Sequence, residues 1–333
     1  MSPDPTAREG VSPATTEYYR EPVTSNDPDE GRRIHYGDFY GVSDTTGDER
    51  PLLVVWGNCQ AEALRIVVSS AADLPYRTVR VPPVHELTES DLPHVRDLMA
   101  RCAVLLSQPV RSGYRGLPIG TDDVDALRST RAEKIVWPVL RYSGLYPFQV
   151  IVRHPSAPSA TPAGVPYHDL RTVIAARDGD SAGWDVPLSA RQVTDVAAWS
   201  IAELARRERA QCDVGVSDLL LPAGAGAANT VNHPGNSVLT ALGSRILDAL
   251  GCGPPAEPDR ELLGNIVSPL DERVVRALDL QARPRPSWLV DGSSVSQDEI
   301  RRVQLQWYRD NPPFVDAAIQ RYADLLDILD MAA

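Results

Sequence analysis

Cysteine is scarce and never clustered in this chain. Cys59, Cys102, Cys212 and Cys252 are scattered over 333 residues with no CxxC pair, which excludes a disulfide scaffold and the common zinc-ribbon spacings. The six histidines (His35, His85, His94, His154, His168 and His233) form no HExxH and no i, i+4 pair, so no metal site is expected. Long apolar runs are missing as well. No stretch of about eighteen apolar residues is present to span a bilayer, and Met1 to Gly10 is polar where a secretory signal would be apolar. A reducing cytoplasm is the expected compartment. Basic charge is in deficit, with 33 Lys and Arg against 45 Asp and Glu for a net charge of −12. That balance argues against a nucleic-acid or anionic-membrane surface and leaves a small molecule as the expected partner. Phosphate-binding loops of the usual kinds are absent, since there is no GxxxxGKS/T and no GxGxxG after Trp56.

What is present begins at Leu52-Leu53-Val54-Val55-Trp56, a short apolar run that ends in Gly57-Asn58-Cys59-Gln60. Such a run bounded by Gly predicts a buried parallel strand, and Ala61, Leu64, Val67, Val68 and Ala71 then recur at helical spacing. Cys59 therefore falls at a strand-to-helix turn. The first N–H groups of a helix lack intrahelical partners and the helix dipole favours negative charge there, so a thiol at that place leans toward thiolate and an oxyanion finds donors. A cysteine after a buried strand is also a common small core hydrophobe. Asn58 and Gln60 favour the chemical reading, because amide side chains at the carboxyl end of a buried strand need polar partners or a ligand.

The predicted fold class is α/β, a parallel sheet flanked by helices. Further strands are expected at Tyr76–Val81, Ala103–Ser107 and Lys134–Val139, with a helix marked by Leu92, Val95, Leu98 and Met99. Three segments follow: a disordered N-terminal segment over residues 1–33, whose composition offers too little apolar surface to offset ordering; an α/β catalytic domain over 34–251; and a helical C-terminal extension over 252–333. Ser189 with Gln192 makes a capping box opening a helix to Cys212. Pro222–Ala228 has no packing side chains and reads as a mobile loop. It leads to Asn232-His233-Pro234 and a helix over Ser237–Leu250 stopped by Gly251. In the C-terminal extension, Ser296 and Glu299 form a capping box before a helix expected to bury Ile300, Val303, Leu305 and Trp307. This region is expected to pack on the core or to form a homo-oligomer contact.

Three further groups carry chemistry. His233 follows the small-residue loop, with Asn232 to orient it, and its ordinary pKa suits a general base. A lone loop histidine is also commonly a satisfied surface group. Tyr167-His168-Asp169 places a histidine beside a carboxylate, unless Asp169 is simply the N-cap of a helix from Leu170. Ser107-Gln108-Pro109 is a second polar strand end, and in a parallel sheet Gln108 falls beside the Cys59 turn. Arg111, Arg115 and Arg141 nearby offer guanidinium groups for phosphate, although solvated loop arginines are the commoner case.

The Gly57-Asn58-Cys59-Gln60 turn, Ser107-Gln108-Pro109, Tyr167-His168-Asp169 and Asn232-His233-Pro234 occur in an order that resembles the WcbI family of polysaccharide-biosynthesis proteins, over roughly residues 51–251. The resemblance implies a CoA-dependent acetyltransferase that O-acetylates a sugar or polysaccharide-precursor hydroxyl, related to SGNH-type esterases, with acetyl-CoA as co-substrate and no metal. It implies catalytic roles for Cys59, His233 and Asn58, a CoA site using Gly57, Gln60, Gln108, Arg111 and Arg115, and supporting roles for His168, Asp169 and Asn232. Two mechanisms stay open, an acyl-enzyme on Cys59 or direct attack on acetyl-CoA by a hydroxyl that His233 activates with Cys59 only lining the thiol pocket, and the alternative functions are an esterase with water as acceptor and a non-catalytic small-molecule-binding protein on the same scaffold.

Overall fold

The protein is described here by a computed structural model covering residues 28–42, 47–128, 133–179 and 186–331. Four parallel strands form its sheet: β1 (Leu52–Trp56), β2 (Arg77–Thr78), β3 (Cys102–Ser107) and β4 (Glu133–Val136), in spatial order β2-β1-β3-β4. All five β1 residues are buried, because helices cover both faces. Leu53 and Val55 face the larger core, whereas Leu52, Val54 and Trp56 face the smaller one with Val95, Leu98 and Met99. The period-two alternation of a strand thus divides one apolar run between two cores. β2 and β4 are shorter than predicted, since Pro82-Pro83 and Pro138 cannot continue a ladder.

The chain leaves β1 for β2 through the Gln60–Ser69 helix, which packs against the larger core. It then returns past β1 to β3 through the Leu92–Ala100 helix on the opposite face. Connections leaving to opposite faces create a switch point between β1 and β3, and open α/β sheets bind ligands in the crevice at that carboxyl edge. Gly57–Gln60 and Gln108 lie there.

Three expectations change. Residues 28–33, expected in the disordered segment, belong to a helix, Pro28–His35; residues 1–27 lie outside the described residues. Arg32 holds that helix down by donating to the Glu86 carbonyl (3.1 Å) and pairing with buried Asp91 (3.1 Å). Residues 222–228 are packed rather than open. Gly224–Ala227 forms a 3₁₀ turn, Ala227 and Ala228 are buried, and Gly235 N–H donates to the Ala227 carbonyl (3.1 Å). A Cβ at Gly235 would strike the Gly226 carbonyl, so the small residues serve close backbone approach. Finally, the Gln297–Asp310 helix buries Ile300, Gln304 and Tyr308 rather than Val303, Leu305 and Trp307.

The C-terminal region is helical at its end (Gln297–Asp310, Pro312–Arg321, Ala323–Ile328), preceded by a three-stranded antiparallel sheet of Ile266–Val267, Ser287–Val290 and Ser293–Ser296. Its helices pack on Leu170–Asp178 and join the larger core, which runs from Leu53 to Leu329. Among the described residues no helix is long and apolar enough to cross a membrane.

Candidate active site

Gly57 is the first requirement of the turn: a Cβ there would lie 2.5 Å from Gln108 Oε1, so only glycine lets β1 end against the β3 loop. In that space Gln108 crosses the switch point. Its Oε1 accepts from Asn58 N–H (2.8 Å) and its Nε2 donates to Gln60 Oε1 (3.0 Å). Gln60, fully buried, also accepts from Leu140 N–H (3.0 Å) and donates to the carbonyls of Leu140 (2.8 Å) and Asn232 (2.7 Å). Its amide is thereby saturated. Gln60 and Gln108 are therefore struts that join four segments, and Gln60 has no atom left for a ligand.

Asn58 Oδ1 accepts from Gln60 N–H (2.9 Å), and Asn58 C=O accepts from Ala61 N–H (2.9 Å). The main-chain donors of Asn58, Gln60 and Ala61 are thus already engaged, against the expectation that the helix terminus offers them to an oxyanion. Among the described residues no acceptor takes the Asn58 Nδ2 hydrogens. Cys59 itself is half-buried at the helix N-cap with helical backbone angles (φ −53°, ψ −23°).

The Asn232-His233 loop meets this turn through Gln60. Asn232 Oδ1 accepts from Tyr167 Oη (2.9 Å), Thr230 Oγ1 donates to Tyr167 Oη (2.9 Å), and His233 N–H donates to Thr230 Oγ1 (3.1 Å). The imidazole stands edge-on to the Tyr167 ring, 6.1 Å between centroids, and bonds the Leu263 main chain. It is 1 % exposed, and burial pushes its pKa down to about 4. His233 is neutral at physiological pH, the form a general base requires.

The other predicted residues lie elsewhere. His168 points into the aromatic C-terminal core, its Nδ1 2.8 Å from Tyr308 Oη and its ring 4.5 Å from that of Phe314. Burial lowers its pKa to about 3. Asp169 is an N-cap, accepting from Arg171 N–H (2.9 Å) and clamped bidentately by the Arg171 guanidinium (2.9 and 2.7 Å). Arg111 is exposed, and Arg115 donates to the His85 carbonyl. Neither lines the space beside Cys59.

That space is a cavity of about 300 Å³ whose walls include Cys59, Tyr36, Arg80, Arg260 and Leu263. Its guanidinium groups are Arg260 and Arg80, the latter 3.4 Å from Glu62, and its carboxylates are Glu62, Glu86, Glu261 and Asp291. Of its carboxylates, Glu62 is gripped by Arg65 (2.7 Å at each oxygen), and Glu261 accepts from Asn229 Nδ2 (2.9 Å) and Asn236 N–H (3.2 Å). Sequence reasoning missed Arg80, Arg260, Thr230 and the part played by Tyr167. Arg80 had a signal, since it lies near the carboxyl end of a predicted strand. Among the described residues no group of three or more His, Cys, Asp or Glu is placed to hold a metal ion.

The fold is an open α/β sheet whose switch point carries half-buried Cys59, tied through Gln60 to the loop that holds buried His233. The family profile described as polysaccharide biosynthesis enzyme WcbI matches residues 52–255, more than half of the chain. The chain belongs to the WcbI family of polysaccharide biosynthesis enzymes. It is also similar to a solved structure described as native WcbI, a novel polysaccharide biosynthesis enzyme, without a disulfide bond between CoA and one of its cysteines. The TM-score is 0.71 and the identity 19 %, covering 85 % of this chain and 99 % of that one. No curated protein matches.

Proposed function

We propose that the protein is a CoA-dependent O-acyltransferase that moves an acetyl group from acetyl-CoA to a sugar hydroxyl. The observation that carries this reading is Cys59, the thiol at the switch point, opening on a cavity with two guanidinium groups. The solved relative's description, which couples CoA with a cysteine, supports the same assignment. In this mechanism Cys59 Sγ attacks the thioester carbonyl, the bond to the CoA sulfur breaks, and CoA leaves as its thiol. One thioester replaces another, so the acyl-enzyme costs little. Asn58 Nδ2 donates to the tetrahedral oxyanion, a kind of contact worth roughly 3 kcal/mol. The acceptor hydroxyl then attacks the acyl-Cys59, giving its proton to His233 while the Cys59 sulfur departs.

Steady-state release of CoA thiol in the presence of a saccharide pool tests the proposal. His233→Ala should lower turnover by roughly 10²–10⁴ with CoA affinity nearly unchanged, and Cys59→Ala should abolish the release. If affinity falls and turnover holds, His233 is a binding residue. Saccharide-dependent release undiminished by both substitutions would end the proposal.

A further inference from the structure

A second cavity, about 400 Å³, has walls that include Arg141, Arg207, Arg321, Ser143, Trp199 and Tyr322. Three separate elements deliver the guanidinium groups. Arg141 stands between Leu140, which exchanges two hydrogen bonds with Gln60, and Tyr142, whose N–H donates to Val231 (2.8 Å). It is one residue away from each tie to the Cys59 turn and the His233 loop. Arg207 comes from the long Ala190–Gln211 helix and is steadied by the Val139 carbonyl (2.8 Å), while Arg321 ends the Pro312–Arg321 helix.

Among the described residues no carboxylate lies within ion-pair distance of any of the three. The one acidic wall residue, Glu203, is engaged by Arg206 (2.8 Å). In a chain of net charge −12, three guanidinium groups gathered in one concavity without a carboxylate partner make a local positive surface that attracts anions. The groups feel one another: burial lowers the pKa of Arg141, after which Tyr322 raises it and Arg321 and Arg153 lower it, and burial and then Arg141 lower that of Arg207 while Glu203 raises it. Arg141 is crowded by protein yet open to water, which is the situation of a group on the wall of a cleft. Trp199 and Tyr322 add aromatic surface beside the charge, and Ser143 a hydroxyl.

We infer that this cleft binds the acidic part of a saccharide acceptor, its carboxylate or phosphate held by Arg141, Arg207 and Arg321 and a sugar ring set against Trp199. Guanidinium forks suit both oxyanions, and aromatic faces suit the apolar side of a pyranose. The inference rests on the acyltransferase reading for the word acceptor, with the donor assigned to the cavity at Cys59.

The test is calorimetric titration of the full chain with a galacturonate oligosaccharide, glucose 1-phosphate, a neutral malto-oligosaccharide and CoA. It compares wild type with Arg141→Gln/Arg321→Gln and with Arg141→Lys/Arg321→Lys, two exposed positions, each variant checked for unchanged melting. The inference predicts that an acidic saccharide binds, that the neutral one does not, and that the Gln pair weakens binding at least tenfold while the Lys pair retains most of it. Trp199→Ala should weaken it as well, and CoA affinity should be untouched by the Gln pair. No binding of either acidic probe, equal binding of the neutral sugar, or an unchanged Gln pair would overturn it. Loss of CoA affinity in the Gln pair would instead assign the cleft to donor phosphates. Failure of the acyltransferase reading looks different: acidic saccharide binds as predicted, yet no CoA thiol is released.

Discussion

Cys59 differs from the other three thiols in what surrounds it. Burial raises the pKa of Cys102; burial and then Glu208 push Cys212 up to about 11; burial and then Asp73 raise Cys252. Each is thereby held as an inert thiol. Cys59 instead sits at a helix N-terminus on a cavity wall with two arginines. Iodoacetamide at pH 8, followed by peptide mapping, should alkylate Cys59 well ahead of the other three, and CoA should protect it. Equal rates at all four would return Cys59 to the role of a small core residue. That contrast was legible in the sequence because a turn after an apolar run needs only local reading. The roles of Gln60 and Gln108 as struts were not: Gln60 is saturated by, and Gln108 is bonded to, partners 48 to 172 residues away in sequence, distances that local spacing does not encode.

The Pro28–His35 helix shows the same limit at the scale of an element. Its composition is that of a segment unable to fold alone, yet Arg32 caps a buried carboxylate 59 residues onward. Removing it leaves Asp91 with Thr88 and Tyr40 as partners. A chain beginning at Ile34 should lose about 1–3 kcal/mol of stability, as should Arg32→Ala in the full chain; urea denaturation measures both. Unchanged midpoints would show that the segment up to residue 33 is dispensable after all. The Gln297–Asp310 helix was found correctly from its cap, but its buried stripe was assigned to the apolar side chains. Its buried face is Ile300, Gln304 and Tyr308, because Gln304 Nε2 donates to the Tyr167 carbonyl (2.5 Å) and Tyr308 meets His168 (2.8 Å). Polar residues there satisfy the backbone and ring beneath the Tyr167 network, a demand that hydrophobic periodicity does not register.

For the whole molecule, the larger core runs from β1 to the last helix. A core shared by so much of the chain makes stability a common property, and the buried histidines set how it responds to acid. His168 and His233 are neutral in the folded state, with pKa values lowered by burial to about 3 and about 4. Half-exposed His85, lowered to about 4 by burial and by Arg153 and Arg115, adds less. Each takes up a proton on unfolding wherever the pH lies below about 6.5. Their contribution is therefore fully present above that pH and is lost as pH falls toward the folded values. From pH 7 to 5 the two buried rings together remove about 4 kcal/mol. Melting temperature should fall steeply over that interval, and His168→Gln should flatten the slope by about half whatever it does to stability at pH 7. A His168→Gln slope equal to that of the wild type would contradict the assignment.

The central claim is that the thioester is handled at Cys59, and mass spectrometry of the full chain after incubation with acetyl-CoA tests it most directly. The account predicts one acetyl group on the Cys59 peptide, released by hydroxylamine, absent in Cys59→Ser as a thioester, and lost when an acidic saccharide acceptor is added. Acetyl-CoA consumed and saccharide acetylated at full rate by Cys59→Ala, with no acyl group ever found on Cys59, would contradict it.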